Sequence, residues 1–213
     1  MIIKTSEQGS LDWLKDRQGI LTSTKLKKCV GKKLNLVGGF RTEMYKLIFE
    51  RATGRTTEKI FSNDATERGN NLEPYARQEL IDITGLNFNQ FGLCVADENE
   101  FHGCSPDGFT GNFRFGCEIK CPENVNHLRA INPDDSYSIF NEYRIQCLNY
   151  FLVNEKLETL FTVSYCPEFE IKPIWIEEIH RSDIEDELTQ LQTAVNNFFA
   201  EYHKTFEILT SDF

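Results

Sequence analysis

The chain has 213 residues, 40% of them hydrophobic and 26% charged, enough for one sizeable core with decorations. Its net charge of −10 argues against a nucleic-acid partner until the distribution is read. No apolar run approaches the ~18 residues of a membrane span, and the opening MIIKTSEQGSLDWLKDRQG carries charge too early for a signal peptide. A soluble, cytoplasmic protein is the expectation.

The first 60 residues hold 13 Lys and Arg against 6 Asp and Glu; the rest holds 10 against 27. A basic N-terminal segment on an acidic body can form a local footprint for phosphates. The competing reading of KLKKCVGKK (25–33) is a solvated, mobile face. Ser10 can cap a short helix through Trp13 and Leu14, and Thr22, Ser23 or Thr24 can cap a second. Residues 40–53 read as a helix ended by Gly54. Another follows over 63–84, with Leu72, Ala76 and Leu80 on one stripe and Gly85 as its stop. Gly69 and Pro74 predict a kink or restart within it.

The period then changes. FGLCVAD (91–97), FHGCSPDGF (101–109) and FRFGCEIKC (113–121), separated by turn residues, predict a three-stranded antiparallel meander. A helix over 138–153, strands over 158–166 and 171–179, and an acidic amphipathic helix over 183–206 follow. The order predicts an α/β sandwich around a mixed sheet. It forms one domain: a basic helical segment (1–60), a core (61–180) and a C-terminal acidic helix (181–213). Seven cysteines without an export signal favour reduced thiols. Cys94, Cys104, Cys117 and Cys121 form no CxxC pair, so they read as core residues rather than zinc ligands.

GCSPDGFTGNFRFGCEIKCP (103–122) concentrates the chemistry. On a strand, Glu118 and Lys120 share one face while Cys117, Ile119 and Cys121 share the other, apolar face. If the neighbouring segment pairs with it, Asp107 approaches Glu118. Two close carboxylates repel unless a cation lies between them. A hard divalent ion such as Mg²⁺ suits an all-oxygen site, and it can clamp a phosphate and activate a water. The alternative is an ordinary Pro-Asp-Gly turn beside a charged strand edge.

SPDG followed by CEIKCP resembles the lambda-phage exonuclease family, also called YqaJ-like viral recombinases, of the PD-(D/E)XK nuclease superfamily. WLKDRQGILTST (13–24), ERGNNLEPYAR (67–77) and YRIQCLNYFL (143–152) resemble further segments of that family, in the same order. The resemblance implies a restriction-endonuclease-like core with a mixed central β-sheet flanked by helices. It implies that Asp107, Glu118 and the Ile119 carbonyl hold Mg²⁺, with Mn²⁺ a possible substitute. Glu73 would serve a second metal or the water network, Lys120 would position the nucleophile, and Gln146 would help hold it. Arg17 with Thr24 or Ser23 would bind a 5′-terminal phosphate, and Ser105 a backbone phosphate.

The implied activity is digestion of one strand of duplex DNA from its 5′ end. The implied assembly is a homotrimer working with a single-strand annealing protein, in a bacterial host and encoded by phage or prophage. Some relatives carry a phosphate-binding arginine where this chain has Asn126; His127 or Arg129 would have to substitute. Rival readings are a RecB-like or Cas4-like nuclease, a restriction endonuclease, and a DNA-end-binding subunit without chemistry.

Overall fold

A computed structural model describes residues 1–58 and 63–211. The boundary expected between residues 60 and 61 lies outside them. The chain runs β1 (Ile2–Lys4), α1 (Leu11–Asp16), α2 (Ser23–Cys29), α3 (Phe40–Thr53) and α4 (Asp64–Thr84). There follow β2 (Phe88–Asn89), β3 (Leu93–Val95), β4 (Gly103–Cys104), β5 (Gly108–Thr110) and β6 (Phe115–Lys120). Next come α5 (Asn124–Ile131), α6 (Ile139–Glu142), α7 (Arg144–Val153), β7 (Thr159–Tyr165), β8 (Ile174–His180) and α8 (Glu185–Thr210). Among the described residues no helix is long and apolar enough to cross a membrane.

The main sheet has the order β2-β5-β6-β7-β8 and is mixed: β6 and β7 are parallel, the other neighbours antiparallel. The parallel pair needs a long crossover, which α5, α6 and α7 supply. One face packs on α4, where Ala76 and Leu80 meet Cys117, Ile119, Phe161 and Val163. The other carries the larger core, in which Phe109 and Leu160 pack with side chains from α2, α3, α7 and α8. This is the restriction-endonuclease-like α/β sandwich.

Several local expectations meet the structure directly. The Ser10 side chain accepts from the Trp13 amide as N-cap. Gly54 and Gly85 end their helices in the left-handed conformation, at φ 64° and 69°. All seven cysteines are free, and all but Cys121 are buried.

Others need correction. The meander is split between two sheets: β4 pairs with β3 in a small sheet with β1, and β5 pairs with β6. The break is Ser105-Pro106-Asp107, where proline has no amide to give a ladder. The strands β1 and β2 are too short to leave a periodic signal. α4 runs unbroken through Gly69 and Pro74, because tertiary packing of Ala76 and Leu80 outweighs one lost backbone bond. The helix expected over 138–153 is two, interrupted at Tyr143 (φ −108°, ψ 21°). β8 starts after Pro173 rather than at Ile171, and α8 reaches Thr210.

The register places the site. Gly108 pairs with Cys117 and Phe109 with Gly116. Asp107 therefore enters β5 opposite Glu118. The Phe109 ring lies over Gly116 so closely that a Cβ there would sit 2.7 Å from it. We therefore expect Gly116→Ala to destabilise the fold by about 1–3 kcal/mol through overpacking. A chemical-denaturation midpoint equal to wild type would show that the ring does not enforce this register.

Candidate active site

β6 ends in Glu118-Ile119-Lys120, and alternation aims Glu118 and Lys120 to the α7 side. Glu118 is fully buried. Burying a carboxylate without partners is prohibitive, and Glu118 has three. The Lys120 ammonium lies 2.5 Å from Oε1, the Gln146 amide donates to the same oxygen at 2.8 Å, and the Tyr150 hydroxyl donates to Oε2. Gln146 and Tyr150 are four apart on α7, so one helical face delivers both.

Asp107 joins from the turn before β5. Its Oδ2 accepts from the Ile119 amide at 2.6 Å and lies 3.8 Å from Lys120 Nζ. Lys120 Nζ also donates to the Ile119 carbonyl at 3.0 Å. One cationic nitrogen thus gathers oxygens from Asp107, Glu118 and Ile119.

Burial, then the Glu118 charge, pushes the Asp107 carboxyl up to about 8, against the pull of Lys120 and the Ile119 amide. For Lys120, burial alone would lower the ammonium, but Glu118 and Asp107 overrule it and raise its pKa. Lys120 therefore stays protonated. Burial also raises the Tyr150 hydroxyl well above its usual value, so it remains a donor.

Glu73 stands on α4 at the cleft wall. It is paired with Arg77 one turn on and accepts from Gln90 at 3.2 Å. Burial raises its pKa, with Arg77 and Lys120 opposing and Glu118 assisting. The cleft in front has a volume of about 690 Å³ and is lined by Arg68, Glu73, Lys120, Asn126, Tyr137 and Tyr143. Another cavity, about 280 Å³ between the Asp97–Asn99 turn, α7 and α8, contains none of the candidate catalytic residues.

The donor set suits a hard divalent cation. Among the described residues no group of three or more His, Cys, Asp or Glu side chains is arranged for a metal. Two carboxylates and a carbonyl converge instead, and the Lys120 ammonium stands in for the cation they would hold. Mg²⁺ takes few protein oxygens and keeps several waters, so a set of this size fits it.

A second cluster adjoins the first. Arg17 is buried and stacks 4.1 Å above the Trp13 ring. It donates to Thr22 and Thr24, each at 3.2 Å, and reaches Ser105 at 3.5 Å. The Trp13 indole also donates to the Ser105 hydroxyl, at 3.2 Å. Thr24 and Ser105 thus meet Arg17, whereas Ser23 does not: its hydroxyl accepts from buried Asn149 at 2.9 Å. Thr22 occupies the N-cap position of α2 without capping it, because its hydroxyl serves Arg17.

The basic run 25–33 is not merely a solvated face. Lys25 is buried between Glu50 and Glu58, and the Lys27 ammonium lies 4.9 Å from the Tyr143 ring centre, with Lys120 4.8 Å from it. Of the residues considered for the missing arginine, Asn126 faces the cleft. His127 is locked between Ser164 and the Lys172 carbonyl, and Arg129 pairs with Asp135.

Sequence reasoning missed Tyr150, Arg68, Glu58 and Lys25 as parts of these sites. Only Tyr150 left a signal, its place on the helical face of Gln146.

The fold and its relatives define the class, a DNA exonuclease with a PD-(D/E)XK-like core. The YqaJ-like viral recombinase domain model matches residues 12–157, and the chain belongs to that family. No curated protein matches. An alkaline exonuclease from Laribacter hongkongensis is 27% identical with a TM-score of 0.75, over 94% of this chain and 96% of that one; its complex with dAMP matches equally. A phage-related exonuclease from Haemophilus somnus, at 15% identity, TM-score 0.62 and coverage of 90% and 96%, shares the fold.

The raised Asp107 pKa gives a linkage prediction for metal-free protein. Burial holds the folded carboxyl at about 8, against 3.8 for an ordinary aspartate side chain in the unfolded chain. The folded state binds more protons between them, so stability falls as pH rises through that window. Asp107→Asn should abolish this loss and be the more stable protein above pH 8 in EDTA, by on the order of 2 kcal/mol. Wild-type and variant unfolding curves that keep one constant separation from pH 5 to 9 would contradict it.

Proposed function

We propose that this chain is a Mg²⁺-dependent 5′→3′ exonuclease on double-stranded DNA, with Mn²⁺ as a substitute ion. It removes one strand from a 5′-phosphorylated end and leaves a 3′ single-stranded overhang for recombination by single-strand annealing. The carrying observation is the convergence of Asp107, Glu118 and the Ile119 carbonyl around one cationic nitrogen.

Asp107, Glu118 and Ile119 would hold the ion. Bound there, Mg²⁺ supplies charge stabilisation at the scissile phosphate and an acidified water for in-line attack. Gln146 and Tyr150 fix the Glu118 carboxylate, so its oxygens need no reorientation. Lys120, held protonated, serves as a donor that positions the attacking water and offsets developing negative charge. Glu73, paired with Arg77 and accepting from Gln90, would serve a second ion or the water network.

Arg17 and Thr24 form a seat for the 5′-terminal phosphate, and Ser105, which also meets Arg17, is read as the contact to a backbone phosphate beside it. Ser105 and Asp107 are two residues apart, so an end seated there presents its first linkages to the acids. The acid-rich body supports a homotrimer whose channel alone needs positive potential. The family membership supports a single-strand annealing protein as partner, in the cytoplasm of a bacterial host and encoded by phage or prophage.

Linear, nicked and closed-circular duplexes labelled separately at 5′ and 3′ ends test the reading. Linear DNA should lose 5′ label first in Mg²⁺, and closed circles should survive. Lys120→Ala should cut the rate by about 10²-fold or more in Mg²⁺ and, by unpairing buried Glu118, lower stability in EDTA; a variant as fast as wild type removes Lys120 from the chemistry. Arg17→Ala should lower the rate ratio of 5′-phosphorylated to 5′-hydroxyl ends by about tenfold. An unchanged ratio would refute the phosphate seat.

A further inference from the structure

The Arg17 pocket holds two cations and two carboxylates, and the carboxylates differ. Glu50 is fully buried and committed to the scaffold: it accepts from the Gly19 and Thr57 amides at 3.0 and 2.8 Å, the Thr57 hydroxyl at 2.6 Å and Lys25 at 3.0 Å. Glu58 is 22% exposed. Among the described residues its carboxylate contacts only cations: Arg17 Nε at 3.3 Å, Arg17 Nη2 at 3.4 Å and Lys25 Nζ at 3.1 Å. Unlike Glu50, Glu58 has no backbone amide or hydroxyl holding its carboxylate among the described residues, so it is the exchangeable anion of the two.

Its surroundings offer more than a carboxylate uses. The Thr22 and Thr24 hydroxyls lie 3.3 Å apart beside Arg17, with the Ser105 hydroxyl near the other guanidinium nitrogen. Each accepts from Arg17; one threonine donates to the other, which leaves the second threonine proton and that of Ser105 for an incoming acceptor. A phosphomonoester brings three terminal oxygens and up to two charges, so it can engage Arg17, Lys25 and these hydroxyls together. A carboxylate has two oxygens and one charge.

We infer that Glu58 is an internal stand-in for the 5′-phosphate, holding Arg17 and Lys25 in the free protein and exchanging with the terminal phosphate of a bound strand. The inference rests on the reading of Arg17 as the end sensor. The exchange keeps the guanidinium paired at every stage, which a buried charge requires. It also weakens the grip on the phosphate, because Glu58 competes for its return. An exonuclease that must release one end and take the next gains from such a competitor.

Binding of 5′-phosphorylated and 5′-hydroxyl duplexes in EDTA at fixed salt tests this without cleavage. Glu58→Gln should raise the affinity ratio, phosphorylated over hydroxyl, by about tenfold. Glu58→Asp should fall between wild type and Glu58→Gln, and it is read the same way if the amide variant does not fold. The gain should vanish in the Arg17→Ala background. If Arg17→Ala collapses the ratio but neither Glu58 variant raises it, Glu58 is scaffold only and the end sensor stands. If Arg17→Ala leaves the ratio unchanged, sensor and stand-in fall together.

Discussion

The ion pair between Glu118 and Lys120 is the constraint on which the rest of the site depends. A fully buried carboxylate is tolerated only when its charge and its lone pairs are met. Meeting them recruits three side chains from two elements: β6 supplies the ammonium, and α7 supplies the Gln146 amide and the Tyr150 hydroxyl. The parallel pairing of β6 with β7 holds this strand in the middle of the sheet, where water does not compete. Asp107 is then buried beside a charge already fixed, and burial first, then that charge, suppresses its ionisation. The protein thus retains unfavourable charge density where a metal ion would relieve it, a pattern expected of a functional site rather than of a core optimised for stability.

The two clusters are one network. Ser105 accepts from Trp13 and Arg17 through its hydroxyl, while its carbonyl lies 3.4 Å from the Tyr150 hydroxyl that also holds Glu118. A single residue in the Pro106 break between β4 and β5 therefore spans the Arg17 pocket and the acid pair. This explains why the extended segment is interrupted there. A continuous strand would keep the Ser105 backbone in a ladder and could not turn both its groups to different partners.

Much of this was legible in the chain. Alternation along Cys117–Cys121 assigned faces correctly because a strand with one apolar face permits one register. Capping by Ser10 and termination at Gly54 and Gly85 are local backbone events, and local events leave local signals. The uninterrupted α4 was not legible, since the energy that carries it past Pro74 comes from packing on β6 and β7. Nor was the division of the meander, which depends on β1 and β2, strands of three and two residues. Roles for Lys25 and Glu58 were hidden because pairing across 25 or more residues has no periodicity to read.

The acidic total and a phosphate-binding task are reconciled by where the carboxylates sit. Arg17 and Lys25 face Glu58, Arg68 at the cleft faces Glu168, and Lys120 faces Glu118 and Asp107. Arg17, Lys25, Arg68 and Lys120 are thus each already matched by an anion of this chain. A bare basic cleft would attract any polyanion and hold it by counterion release alone. A cleft of matched pairs accepts a phosphate only where geometry makes the phosphate the better partner, because the charge gained is nearly offset by the charge displaced. Selectivity then comes from the number and direction of the donors around each guanidinium, and a net negative protein can act on a polyanion without adhering to all of it.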